Sequence, residues 1–463
     1  MRTLVLDIET NADASKIWLC VTKDIDTGET ICHTESTTLL NLLKQPVKLI
    51  GHNLISFDAP ILNRLWKTKI SLTMIAMDTL VLSRLLSPNR ENGHSLESWG
   101  ITLGLNKVDY SKIWSWMTGV TLRKKTKDDE GNTNLPFDVP VTSLLHFYCE
   151  RDVSVTEKLY HALIKEQDDT KTSSKAVELE YTVQAICAEQ VRNGFKLDVP
   201  YAMSLLSTIK AEMSDIESQM EAVFPPVVEE QRYHKTTGKP LERKTFYFNP
   251  GSRKQIYERL KDKYGWKPKK TTEKGTPIVD EAVLSALPYE EDKFLARYFM
   301  LQKRAAQLDS WLEKVEDDGR VHGDIITIGA VTGRCTHSSP NMAQVPAVRA
   351  EYGKEFRSCW IVDKGNVLVG TDLSGIELRC FAHYLNDEEY TNEVVYGDVH
   401  TRNQQAFGCD TRDQAKTILY ATLYGASSAK VGTIIGGKES EGKKIIDNFC
   451  RSVPAYATLK SKV

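Results

Sequence analysis

The 463-residue sequence has no apolar run approaching the roughly 18 residues of a membrane span. Its nine cysteines form no C-x-x-C pair and are odd in number, which argues against a disulfide framework or a zinc ribbon. They read as buried thiols in a reducing compartment. The N-terminus enters strand-like sequence at once, at Met1-Arg2-Thr3-Leu4-Val5-Leu6-Asp7, without a leader pattern. These absences lead to the expectation of a cytoplasmic protein with no membrane partner. The 27 glycines and 16 prolines are too few for a collagen-like or low-complexity chain, and no internal repeat is visible. An excess of one charge is also missing: 60 Lys and Arg against 62 Asp and Glu leave −2, which points to no partner. What is present is ordinary soluble composition, 41% hydrophobic and 26% charged. At about 100–200 residues per domain, the length suits two to four domains. Charge is unevenly spread, however. Residues 232–275 carry 14 basic and four acidic residues, a basic footprint on an otherwise acidic chain.

Strand and helix patterns alternate over the first 165 or so residues. Leu4 to Leu6 and Val47 to Ile50 read as buried strands, and Pro60 to Trp66 and Leu144 to Ile164 as helices, which predicts an α/β domain. The polar stretch Glu166 to Lys175 is the best linker candidate. Helical periodicity follows over Val177 to Val191, stops at Asn193-Gly194, and resumes over Val199 to Val223 and Phe294 to Leu312. From Gly319 onward, short strands at Val321 to Ile328 and Val367 to Thr371 are expected between glycine-rich turns. Helix-like runs come after Gly375 and Thr411.

Asp7 and Glu9 are two apart on a strand, so both side chains leave one face. Paired carboxylates repel unless neutralised, and hard divalent cations do this well. Alone, such a pair is more often a solvent-facing strand end. Asn53-x-x-x-Phe57-Asp58 follows the second strand, and Tyr148-x-x-x-Asp152 shares one helix face. In that order the three segments resemble the motifs of the DEDDy 3′→5′ exonucleases, over the first 165 residues. The resemblance implies an RNase H-like fold, with Asp7, Glu9, Asp58 and Asp152 holding two metal ions about 3.5–4 Å apart for in-line displacement at phosphorus. Tyr148 would orient or help deprotonate the attacking water. Asn53 would fix the strand-end loop, and Phe57 would pack.

Arg412, Lys416, Tyr420 and Tyr424 recur every four residues and form one stripe on a helix. The plain reading is a solvated basic face with two half-buried tyrosines. An Arg fork beside a Lys point charge also suits a triphosphate, with aromatic faces further along for base and sugar. Arg-x-x-x-Lys, then seven residues and Tyr-Gly, resembles motif B of family A DNA polymerases. Val367 to Arg379, containing Asp372-Leu373-Ser374-Gly375-Ile376-Glu377-Leu378-Arg379, resembles motif A of the same family. Thr332-Gly333-Arg334 and Pro340 to Pro346 resemble its template–primer contacts, and Asn193-Gly194-Phe195 and Phe248 to Ser252 match as well. The similarity spans almost the whole chain and is to the short-tailed phage replicative branch, which would put the protein in a host cytoplasm.

The resemblance implies a magnesium-dependent polymerase, with Mn²⁺ as a possible substitute, acting on primer–template DNA and deoxynucleoside triphosphates. Single-stranded DNA would be the substrate of its exonuclease. Asp372 would hold the polymerase metals, and Glu377 would close the pocket against a ribose 2′-OH. Arg412 and Lys416 would bind the phosphates, with His400 assisting. Tyr420 would meet the sugar, where tyrosine implies weak discrimination against dideoxynucleotides, and Tyr424 would stack at the template. Arg334 would read shared minor-groove acceptors, beside Asn341 and Gln344. The basic segment, with Lys267, Lys269 and Lys270 among aromatic residues, would be a DNA-gripping thumb. The expected domains are an exonuclease at 1–165, linker and helical thumb at 166–318, partial palm at 319–385 and partial fingers at 386–463.

Two departures from the family pattern stand out. Its motif C, V-H-D-E, is absent. After Gly425 the only acidic residues are Glu439, Glu441 and Asp447. The polymerase site is therefore expected to be incomplete, with a C-terminal fragment supplied separately or missing by truncation. The stretch from Phe224 to Phe248 is only 25 residues long, which argues against a long thioredoxin-capturing insertion and leaves a processivity factor unassigned. Two other readings are weighed: a stand-alone 3′→5′ exonuclease with a polymerase-like remnant, and a non-catalytic DNA-binding subunit. The intact carboxylate motifs argue against the latter.

Overall fold

The computed structural model describes residues 1–462 except 125, 127–130, 229, 230, 232, 235, 241 and 269. The chain divides into two compact units, Met1–Asn366 and Val367–Val463.

The first unit opens with strands β1 (Arg2–Thr10), β2 (Ile17–Asp24) and β3 (Thr30–His33), then helix α1 (Ser36–Leu43), β4 (Val47–Gly51), α2 (Asp58–Leu65) and β5 (Ile75–Asp78). The strands form one sheet in the order β3-β2-β1-β4-β5, antiparallel among the first three and parallel from β1 to β4 to β5. Helices α3 (Thr79–Leu86), α4 (Leu96–Thr102), α5 (Tyr110–Thr118), α6 (Leu135–Asp138) and the long α7 (Thr142–Thr170) follow. The two-residue period of β1 sorts its side chains. Leu4, Leu6 and Ile8 enter one core with Leu39, Leu54 and Leu62. Val5 enters the opposite core with Leu145, Cys149 and Val153 of α7. Helices thus cover both faces of the sheet, and the odd positions of β1 face α7.

The polar stretch at 166–175 is not one loop. Helix α7 runs on to Thr170, Lys171 ends it in a left-handed conformation, and α8 (Ser174–Asn193) begins at once. A polar composition suits the solvated end of a long helix as well as it suits a linker. Tyr181 of α8 joins the sheet core, and its hydroxyl accepts the Asp78 N–H at 2.9 Å.

Beyond α8 lie β6 (Phe195–Leu197), α9 (Val199–Val223), β7 (Val227–Val228), β8 (Thr245–Phe246), α10 (Arg253–Tyr264), α11 (Glu281–Ser285) and α12 (Glu290–Glu313). Helices α9 and α12 share a core through Leu205, Ile209 and Ile216 against Leu295, Leu301 and Leu308. The unit closes with β9 (Arg320–Val321), β10 (Asp324–Ile326), β11 (Thr336–Ser338), α13 (Gly353–Ser358) and β12 (Trp360–Ile361).

The second unit is helical: α14 (Ile376–Leu385), α15 (Glu388–Tyr396), α16 (Val399–Phe407), α17 (Arg412–Leu423), α18 (Ser428–Ile434), α19 (Glu439–Ser452) and α20 (Pro454–Lys462). Phe381, Tyr390, Phe407, Ile418 and Phe449 anchor its core. The strand expected at Val367 to Thr371 does not form, and Val367, Leu368 and Val369 are 79, 71 and 77% exposed. An apolar run becomes a strand only when a neighbour pairs with its backbone groups, and no described residue does so here. No helix among the described residues is long and apolar enough to cross a membrane.

Candidate functional site

Asp7 and Glu9 continue the Val5 face of β1 and so point at α7. Their carboxylates and the Cys149 thiol of α7 offer ligand atoms all within 4.8 Å of one another. Cys149 Sγ donates to Asp7 Oδ2 at 3.4 Å. Asp58, the first residue of α2, is buried and accepts the Ile8 N–H at 3.1 Å, which ties it to β1 between the other two acids. One turn beyond Tyr148 on α7, Asp152 is also buried. Burial comes first, then like charge, in raising these acids. Asp7 is pushed up to about 7 by burial and by Asp152. Burial and Asp7 raise Glu9 and Asp58, and burial raises Asp152 while Lys107 pulls it back.

The turn that delivers Asp58 is built by Asp78. Its carboxylate accepts the N–H groups of Asn53 and Ile55 on one side, at 3.2 and 2.9 Å, and those of Leu80 and Val81 at the start of α3 on the other. Asn53 itself is left-handed, with φ of 67°. Phe57, just before Asp58, is 40% exposed.

Lys107 lies in the segment between α4 and α5. Its Nζ is 2.5 Å from Asp152 Oδ2 and 4.9 Å from the centre of the Tyr148 ring. Burial disfavours the ammonium, but Asp152 and Tyr148 outweigh this and Lys107 is held above its ordinary range. Burial and the Asp152 charge likewise hold the Tyr148 phenol above its ordinary range. Lys107, Cys149 and Asp78 were not evident from the sequence, since none stands in a recognisable spacing. The donor set suits a hard divalent cation: Glu9, Asp58 and Asp152 are buried, Asp7 is half-buried beside Glu9, and Asp152 Oδ1 is buried with no hydrogen-bond partner among the described residues.

In the second unit, Ala415, Ile418 and Leu419 bury one face of α17 and leave the stripe on the other. Asp398, which caps α16, also takes the Arg412 fork, with Nη2 to Oδ1 at 2.9 Å and Nε to Oδ2 at 3.2 Å. Arg412 and the Thr401 hydroxyl hold Asp398 well below the usual carboxylate range. His400 is lowered by burial and by the nearby charges of Arg412 and Lys416, so it lies beside both cations and favours its neutral form. Further along, the Tyr424 hydroxyl donates to Glu377 Oε1 at 3.4 Å, and burial with Glu377 raises Tyr420. Glu377, His400, Arg412, Lys416, Tyr420 and Tyr424 therefore gather along α17. Asp372 is exposed on the irregular segment before α14. No group of three ligating side chains forms around it among the described residues.

Arg334 is exposed on the β10–β11 hairpin, where its carbonyl accepts the Ala330 N–H at 3.1 Å and Gly333 supplies the left-handed turn. Asn341 caps the short helical turn at 342–344, and the Gln344 carbonyl accepts from Gln307 at 2.9 Å. Lys267 and Lys270 are exposed beside the buried Trp266. Lys269 and Arg232 lie outside the described residues.

A family model described as DNA polymerase family A matches residues 228–462. The chain is 30% identical to the DNA-directed DNA polymerase of Escherichia phage T7, over 99% of this chain and 81% of that protein. The chain belongs to DNA polymerase family A. Membership is echoed by DNA polymerase I of Pseudomonas aeruginosa, 27% identical over 89% of this chain and 43% of that protein. The family A fold recurs in the POL domain of Pol1 from M. smegmatis, solved in complex with DNA primer-template and dNTP. The TM-score is 0.74 at 20% identity, covering 99% of this chain and 74% of that one. The alignment with the phage T7 polymerase runs over 582 residues, so that relative has segments without a counterpart in these 463.

Proposed function

We propose that this family A DNA polymerase carries a proofreading 3′→5′ exonuclease, of RNase H-like type, in residues 1–165. Residues 166–318 then form linker and thumb, 319–385 part of the palm and 386–463 part of the fingers. The observation that carries the reading is the gathering of Glu9, Asp58 and Asp152, all buried, with the half-buried Asp7, from β1, α2 and α7. Those four residues would hold two divalent cations, Mg²⁺ or Mn²⁺, which when bound supply Lewis-acid activation of water and charge stabilisation at phosphorus. Asp58 uses one oxygen on the Ile8 N–H, which keeps the carboxylate from rotating. Burial of the cluster strengthens every charge–charge term within it. Tyr148 keeps its proton, so its hydroxyl orients a water by hydrogen bonding rather than acting as the base.

On the polymerase side, Arg412 and Lys416 take the triphosphate with His400, Tyr420 meets the sugar, Tyr424 faces the template base and Glu377 disfavours a 2′-OH. Arg334, Asn341 and Gln344 contact the primer–template, and Lys267, Lys269 and Lys270 grip phosphates. The described residues do not assemble a metal-binding group at Asp372, so no chemical step is derived there. The exonuclease reading is tested with the purified chain, Mg²⁺ and 3′-labelled single-stranded DNA. The expected result is stepwise release from the 3′ end that EDTA stops. An intact 3′ end after prolonged incubation would refute it.

A further inference from the structure

We propose that Lys107 is a built-in cation of the exonuclease site, a positioning residue that fixes Asp152 and Tyr148 while opposing the binding of divalent metal. The inference rests on the exonuclease reading above and goes beyond the four carboxylates and the tyrosine.

The backbone that carries Lys107 is pinned on two sides. Gly104 turns it with φ of 66°, and the Leu105 N–H donates to the Gly100 carbonyl at 2.8 Å. Gly100 lets the segment close on α4, since a Cβ there would meet the Leu105 carbonyl oxygen at 2.9 Å. From α7, Lys158 Nζ donates to the Leu103 carbonyl at 2.5 Å. Helix α7 thus fixes the segment through Lys158 and receives its ammonium group at Tyr148 and Asp152. The Lys107 side chain is 21% exposed and that of Asp152 is 5% exposed, so the pair is shielded from most solvent competition.

Two effects of opposite sign follow. By occupying Asp152 Oδ2, Lys107 orients the carboxylate and leaves Oδ1 as its free donor. Its ammonium group also lies 4.9 Å from the centre of the Tyr148 ring and so braces the side chain whose hydroxyl orients water. Its positive charge beside Asp7, Glu9 and Asp152 also repels any second cation. Removing the charge should therefore tighten metal binding and slow turnover together. A lysine that only supports the fold would, on removal, weaken both.

The test measures Mn²⁺ binding to the full chain without DNA, by electron paramagnetic resonance of free Mn²⁺, alongside kcat for 3′ hydrolysis at saturating Mn²⁺. Lys107→Met should bind Mn²⁺ about tenfold more tightly, the factor one screened unit charge makes at a partly solvated site. Its kcat should fall about 10- to 100-fold. Lys107→Gln should repeat both changes, which covers the case where the methionine variant does not fold. Lys107→Arg should keep wild-type Mn²⁺ affinity. Unchanged or weaker Mn²⁺ binding in the folded Met and Gln variants would overturn the proposal. If instead Asp7→Ala with Glu9→Ala left Mn²⁺ binding and hydrolysis at wild-type levels, the exonuclease reading itself would fall.

Discussion

In the first unit, Glu9, Asp58 and Asp152 are buried and Asp7 is half-buried, so the four acids are largely shielded from water. In the second, Arg412 and Lys416 lie on an open helix face, with Tyr420 partly covered. Both sets concentrate one sign of charge, but the cost differs. The buried acids raise one another's proton affinity and need an internal cation, which Lys107 provides. The exposed cations are screened by solvent and answered by one acid, Asp398, on a neighbouring helix. The first arrangement is preorganised and intolerant of change. The second can release Arg412 from Asp398 to a phosphate, because one carboxylate is exchanged for another anion of similar geometry.

This contrast can be broken most sharply at Asp152. Asp152→Asn should reduce 3′ hydrolysis about a thousandfold or more, because members of such a unit fail together. Triphosphate binding should not change, and a titration with a fluorescent dNTP on the same preparation checks both halves. Arg412→Ala is the reciprocal experiment. It should weaken dNTP binding about 10- to 100-fold, as loss of a charge-assisted bond does, and leave the exonuclease rate unaltered. Equal damage to both activities in either variant would end the separation drawn here.

The thumb offers a milder test. Charge reversal at Lys267 and Lys270 should flatten the dependence of log K on log salt for duplex DNA, by about 0.9 for each phosphate no longer neutralised. An unchanged slope would move the DNA path elsewhere. The smallest effect concerns burial alone. Asp292, fully buried in the first turn of α12, is raised from 3.8 to about 6 by burial. Its folded form binds a proton more tightly than its unfolded form. The contribution of Asp292 to stability is therefore greatest below about pH 4, declines as pH rises to about 6, and then levels off. Asp292→Asn should stabilise the protein by about 1–3 kcal/mol at pH 7 and leave it unchanged at pH 4, as read from denaturant melts at the two values.

The parts of this account visible in the sequence are those with a period. Alternation in β1 places Asp7 and Glu9 on one face, and the four-residue repeat of Arg412, Lys416, Tyr420 and Tyr424 marks one side of α17. Helices α8, α9 and α12 follow their apolar spacing closely. What the sequence hid depends on partners far along the chain. Lys107 acquires meaning only from Asp152, 45 positions away, and Asp78 only from the turn at Asn53 and Ile55. Cys149 looks like any core thiol until β1 brings Asp7 to it. The run at Val367 to Thr371 reads as a strand because apolar composition is local, whereas strand pairing is not.

The most direct test of the central claim sets two variants side by side in one exonuclease assay with Mg²⁺ and 3′-labelled single-stranded DNA. Asp7→Ala with Glu9→Ala removes two of the clustered acids of the first unit, and Asp372→Ala removes the exposed carboxylate of the second. The account predicts that the double variant loses 3′ hydrolysis and that Asp372→Ala retains the wild-type rate. Hydrolysis that survives in the double variant, or disappears in Asp372→Ala, would contradict it.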